Sequence, residues 1–145
     1  MKDRMLAGEP YLADDPEIIA DQDRAARLME RFNTSAAADP QARIAVLRDL
    51  LGEVGDSTWI RPPFYCDYGW QIRIGPRSFV SYNAVFLDVA PITIGADVQI
   101  GPNVQLLTLR TRWNPFRAAT SGRRRRRSPS VTMSGSAVVP SCWPA

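Results

Sequence analysis

From Ile72 to Leu107 the chain reads IRIGPRSFVSYNAVFLDVAPITIGADVQIGPNVQLL, and its apolar positions recur every six residues. Ile94, Ile100 and Leu106 form one run; Ile74, Val80 and Phe86 form another, with a two-residue shift of register across Asp88 to Pro91. Ile-Gly pairs mark the same rhythm at Ile74-Gly75, Ile94-Gly95 and Ile100-Gly101. A period of six matches neither the 3.6 of a helix nor an alternation interrupted by recurring hairpin turns. It fits a parallel β-helix, in which each hexapeptide is a short strand and a corner and three hexapeptides make a triangular coil. The aliphatic side chain of each strand then stacks on its equivalents inside. Gly75, Pro76, Gly95, Gly101, Pro102 and Asn103 fall where the chain must turn sharply. An ordinary sheet with turn glycines is the alternative reading of the same pattern.

The chain of 145 residues is one domain's worth and can bury a real core. No apolar run reaches the length of a membrane span, and MKDRMLAGEP lacks the apolar stretch of a secretory signal, so the expected location is cytoplasmic. Cys66 and Cys142 are far apart and match no metal spacing, which predicts two reduced thiols. Histidine is absent from the entire sequence.

Two helices precede the repeat. Over residues 15 to 33 Asp15 is a good N-cap, Pro16 suits the first helical position, and Ile18, Ile19, Ala25, Leu28, Met29 and Phe32 give an apolar face. The second repeats that grammar, with Asp39 as cap, Pro40 next, Ile44, Leu47, Leu50 and Leu51 as the stripe, and Gly52 or Gly55 as the stop. Both are expected to pack against the β-helix. Residues 59 to 70, WIRPPFYCDYGW, link the helices to the repeats, and Pro62-Pro63 excludes a central strand there. Trp59, Phe64, Tyr65, Tyr68 and Trp70 beside Asp67 suit either a cap on the β-helix or a sugar site, where rings stack on a pyranose and a carboxylate accepts hydroxyl hydrogen bonds.

The segments LAGEPY, DPE, RFN, LLGEVG, RPPFYCDYG, FVSYNAVFLD and IGADVQIGPNVQLLT, in that order through residue 108, resemble the maltose and galactoside O-acetyltransferases. The resemblance implies a mostly β protein, a left-handed parallel β-helix of about two coils behind two short α-helices. It implies acetyl transfer from acetyl-CoA to a hydroxyl of a sugar such as maltose or a galactoside, in a homotrimer and without a metal. Asp67, Ser81, Asn83 and Asp88 match positions associated with the acceptor site, Ser81 standing where the family usually has asparagine. In the family a histidine serves as general base, and this chain has none.

After Thr108 the resemblance stops, and the chain continues LRTRWNPFRAATSGRRRRRSPSVTMSGSAVVPSCWPA. Taking the last base of each codon with the first two of the next permits the family's text at many positions, although Trp143-Pro144 forces Ala where the family more often has proline. Residues 109 to 113 then permit Thr-His-Pro-Leu, and Trp113-Asn114 forces Glu. Residues 129 to 139 permit Ile-Gly-Asp-Asp-Val-Trp-Leu-Gly-Gly-Gly, and Cys142-Trp143 forces Leu. Residues 109 to 145 are therefore read as an out-of-frame basic tail, expected to be disordered. They follow a helical region over 1 to 56 and a partial β-helix over 57 to 108. Arg123 to Arg127 could alternatively contact phosphates, but a net charge of +3 and a tail without aromatics set for base stacking argue against specific nucleic-acid binding. An inactive fragment is the remaining alternative.

Overall fold

A computed structural model describes residues 2–7, 9, 11–12, 14–35, 39–111, 124–127, 130–133 and 138–139. The expectation for Cys142 lies outside the described residues.

The repeat closes into a parallel β-helix of three complete coils. The first is β2 (Glu53–Val54), β3 (Trp59–Ile60) and β4 (Phe64–Cys66); the second is β5 (Ile72–Ile74), β6 (Phe79–Val80) and β7 (Ala84–Leu87). The third is β8 (Ile92–Ile94), β9 (Gln99–Ile100) and β10 (Gln105–Leu107). Successive coils pair in parallel at an offset of twenty, as in Ile74 with Ile94, Val80 with Ile100 and Phe86 with Leu106. The expected count of about two coils is thus low by one. The missing coil is the linker region: Val54, Ile60 and Cys66 keep the six-residue spacing and pair with Ile74, Val80 and Phe86. Pro62-Pro63 occupies the corner between β3 and β4, where no ladder hydrogen bond is needed.

Inward residues form one column-like core that includes Ile60, Phe64, Ile72, Ile74, Val80, Phe86, Ile92, Ile94 and Ile100, all buried. Phe64 and Phe86 meet edge to face, with ring centroids 5.2 Å apart. Coils stack so closely that a Cβ on Gly75 would lie 2.6 Å from the carbonyl carbon of Gly95, which explains a glycine there.

Helices cover the first coil. α1 (Lys2–Leu6) was not expected; it is followed by β1 (Tyr11–Leu12), α2 (Pro16–Asn33) and α3 (Pro40–Leu50). Both predicted caps form: Asp15 accepts from the Glu17 N–H at 3.1 Å and Asp39 from the Ala42 N–H at 2.9 Å. Ile18, Ala25, Leu28 and Phe32 of α2 are buried, whereas Ile19, expected on the same face, is 41% exposed. On α3 it is Val46, together with Leu47 and Leu50, that goes inside. The Asn33 side chain donates to the Phe64 carbonyl at 3.0 Å and accepts from its N–H at 2.8 Å. An amide thus stands in for a neighbouring strand at an otherwise open edge.

Part of the segment expected to be disordered continues the stack. Among the described residues this segment holds β11 (Leu109–Thr111), β12 (Arg124–Arg127), β13 (Val131–Met133) and β14 (Val138–Val139). β13 and β14 run parallel to β8 and β9, while β11 and β12 form an antiparallel sheet with β1. Val131 and Met133 pack on the core, and the Gly95 N–H donates to the Met133 carbonyl at 2.6 Å. The physical reason is spacing: Val131, Met133 and Val139 repeat the interval of Ile92, Ile94 and Ile100, so they satisfy the open edges of the third coil.

Candidate functional site

The four sequence-predicted positions flank one face of the β-helix, the sheet ordered β10-β7-β4. Alternation along these short strands sends Tyr65, Val85 and Gln105 outward in register, while Phe64, Cys66, Ala84, Phe86 and Leu106 point in. Tyr65 is 46% exposed and Leu107 49%, so the face is accessible in the single chain.

Asp67 and Asp88 stand together at the corner leading from this face to β5 and β8. Asp67, just past Cys66, is half-buried. Asp88 is fully buried, because counting by two from Ala84 and Phe86 keeps it inside. Its Oδ1 accepts from the backbone N–H groups of Asp67 at 3.1 Å and Tyr68 at 2.9 Å, and its Oδ2 from that of Gln71 at 3.3 Å. The Gln71 side chain donates to the Asp88 carbonyl at 2.6 Å. Burial pushes the Asp88 carboxyl up to about 7, against the downward pull of the N–H donors and with a further push from the Asp67 charge. Burial likewise pushes the Cys66 thiol up, which makes it an inert core group.

Ser81 and Asn83 lie at the opposite corner, between β6 and β7, and the four residues of β7 separate the two pairs by about 13 Å. Ser81 is buried and Asn83 is exposed. Asn83 has φ of 58°, as Asn103 one coil on has 59°, a left-handed conformation that asparagine tolerates at a sharp corner.

Sequence reasoning missed three further groups. Arg61 donates its backbone N–H to the Val80 carbonyl, beside Ser81, and its guanidinium lies 5.0 Å from the Tyr82 ring and 2.6 Å from the Tyr82 hydroxyl. Tyr82 is 45% exposed. Thr108 sits above Asp88 as the last buried residue of the third coil, its hydroxyl donating to the Leu87 carbonyl at 2.7 Å and accepting from the Ala90 N–H at 2.8 Å. The offset of twenty would have found Arg61 and Thr108. The predicted aromatic cluster divides: Phe64 and Tyr68 are buried, and Trp59 and Tyr65 are exposed.

Away from this face, an open groove of about 390 Å³ between α2 and α3 is lined by Arg24, Arg27, Leu28, Arg31 and Asp49. Among the described residues no group of acidic or thiol side chains is arranged to hold a metal ion, and no helix is long and apolar enough to cross a membrane.

Residues 4–55 match the sequence family described as the maltose acetyltransferase hexapeptide capping motif. The chain is 48% identical over 107 residues to nodulation protein L of Rhizobium meliloti, which covers 74% of this chain and 58% of that protein. Among solved structures it resembles a maltose O-acetyltransferase from Clostridium difficile, with TM-score 0.82, 31% identity and coverage of 88% of this chain and 67% of that one. It also resembles a hexapeptide-repeat acetyltransferase of Vibrio cholerae solved with acetyl coenzyme A, with TM-score 0.73, 38% identity and coverage of 84% and 66%. The chain shares the left-handed β-helix fold of these neighbours and spans less than two thirds of the curated relative.

Proposed function

This chain belongs to the maltose/galactoside O-acetyltransferase family of hexapeptide-repeat proteins, and from that membership we propose that its β4–β7–β10 face is the acceptor side of a sugar O-acetyltransferase. The observation that carries the reading is the placement of Asp67 on one rim and of Ser81 and Asn83 on the other rim of one face that also presents Tyr65. Asp67 accepts hydrogen bonds from acceptor hydroxyls, Tyr65 offers a ring to the apolar side of a pyranose, and Ser81 and Asn83 orient the far end. Maltose or a galactoside is the acceptor class, and acetyl-CoA supplies the activated acyl group. The half-exposed Trp59, Tyr65, Tyr82 and Leu107 support a further reading that copies of the chain assemble, as a homotrimer, around these faces. A cytoplasmic setting fits the buried free thiol of Cys66.

The acceptor hydroxyl must lose its proton to become a competent nucleophile. No imidazole exists anywhere in the chain to take it, and absence of such a base lowers rate by roughly a hundredfold to ten-thousandfold. The reading frame restored after Thr108 supplies that histidine, and with it the remaining coils; residues 109 to 145 as they stand are the same gene translated out of frame. The test is thiol release from acetyl-CoA in the presence of maltose or a galactoside. No turnover is expected from the chain as it stands, and turnover from the frame-restored chain. Activity in the former overturns the missing-base argument, and inactivity of the latter with both sugars overturns the sugar reading.

A further inference from the structure

Asp88 shares its corner with Asp67 but cannot share its task. Its side chain is fully buried, both carboxyl oxygens are occupied by three backbone N–H groups, and among the described residues no cation pairs with it. All three donors belong to one short turn, residues 67 to 71, and one of them is the N–H of Asp67 itself. The same turn is gripped from the helical side. Gly69 has φ of +80°, and a Cβ placed on it would lie 2.5 Å from the Leu50 carbonyl oxygen, so the backbone there rests directly on the end of α3. Tyr68 is buried in a second apolar cluster with Met5, Tyr11, Ile18 and Val89. Within this clamped turn Asp67 is a half-buried residue at the edge of the face, with its Oδ2 turned inward.

We propose that Asp88 is a positioning residue: it contacts no acceptor itself and fixes the 67 to 71 turn so that the Asp67 carboxylate stands ready at the rim of the acceptor face. The assignment rests on the acceptor reading given above, and it replaces the expectation that Asp88 is a substrate ligand. Thr108 shows the same device one coil up. Its hydroxyl reaches back to the Ala90 N–H and Leu87 carbonyl, bracing the turn that carries Asp88. Corner positions 68, 88 and 108 are all buried, and the side chains of 88 and 108 each hold the turn of the coil beneath. An asparagine at 88 would keep one acceptor oxygen but turn an NH₂ toward a backbone donor, so the clamp fails with almost no change in volume.

The experiment is NMR on the isotopically labelled full chain at pH 8, comparing it with Asp88→Asn. Amide exchange at Asp67, Tyr68 or Gln71 is expected to accelerate at least tenfold, while that of Val80 and Ile92 is unchanged. Because Asp88→Asn also removes a neighbouring negative charge, the titration midpoint of the Asp67 carboxyl carbon is read in Gln71→Ala, which leaves that charge in place, and is expected to shift there. Added maltose is expected to perturb the Asp67 carboxyl signal and leave that of Asp88 in place. Unchanged exchange in Asp88→Asn and an unchanged Asp67 midpoint in Gln71→Ala overturn the proposal, as does a maltose-induced shift at Asp88 equal to that at Asp67. Absence of any maltose response in the unsubstituted chain counts against the acceptor reading alone, because exchange and the Asp67 midpoint still judge the clamp. If Asp88→Asn does not fold, Gln71→Ala removes the 2.6 Å bond to the Asp88 carbonyl and must move the Asp67 midpoint in the folded protein; no movement overturns the clamp.

Discussion

Replacing Thr108 with valine tests whether this corner side chain supports the stack. The two side chains have nearly the same shape, so the change removes a hydroxyl and little volume. Thr108 is fully buried, and its hydroxyl makes two short bonds, to the Leu87 carbonyl at 2.7 Å and from the Ala90 N–H at 2.8 Å. The Leu87 carbonyl keeps a second donor, the Thr108 N–H at 3.1 Å, so it is not orphaned. The Ala90 N–H loses the hydroxyl it donates to, in a residue that is itself fully buried. Leaving one buried donor without its acceptor costs about 1 to 3 kcal/mol. With a urea dependence of roughly 1 to 3 kcal/mol per molar, the unfolding midpoint should fall by on the order of 1 M. Thr108→Ser retains the hydroxyl and should lose clearly less. Equal midpoints for the valine variant and the unsubstituted chain, or equal losses for valine and serine, would refute the reasoning.

Phe86→Ala empties a fully buried ring site and ends the edge-on contact with Phe64, so urea unfolding should register a loss of about 3 to 5 kcal/mol. Met133→Asp places a charge where β13 covers the third coil; it should lower the thermal midpoint and promote light scattering, whereas no change would mean that this strand adds nothing. Asp88 also gives stability a pH dependence. Because burial raises its folded value from the ordinary 3.8 to about 7, its contribution is fully present below about pH 4 and is lost as pH rises through 7. The size is on the order of 4 kcal/mol, and urea midpoints measured from pH 4 to 8 should fall for the unsubstituted chain and flatten for Asp88→Asn.

Much of this was legible in the chain. Asp15-Pro16 and Asp39-Pro40 announce both long helices because capping is local chemistry, set by a carboxylate and a fixed φ within one turn. The second and third coils are legible from Ile74, Val80, Phe86 and Ile94, Ile100, Leu106. The first coil obeys the same period at Val54, Ile60 and Cys66, but Pro62-Pro63 and the aromatics around it mask the strand signal. Val131 and Met133 were hidden for another reason: they follow Ile92 and Ile94 by 39 residues, not twenty, so no regular period leads to them. Asp88 shows the limit of reading residue type. A carboxylate beside a predicted site suggests a ligand, yet the two-residue alternation from Ala84 and Phe86 already assigns it to the interior. Ile19 errs the other way, an apolar residue that helix rotation leaves outside.

The proposed loss of a catalytic base from this acetyltransferase-type β-helix rests on a shift of frame. Nucleotide sequence through codons 105 to 145 tests it most directly. Joining each codon's last base to the next two should yield Thr-His-Pro soon after Thr108 and later Ile-Gly-Asp-Asp-Val-Trp-Leu-Gly-Gly-Gly. Codons that do not spell these residues in that frame would contradict the account and leave the arginine-rich segment as the protein's own.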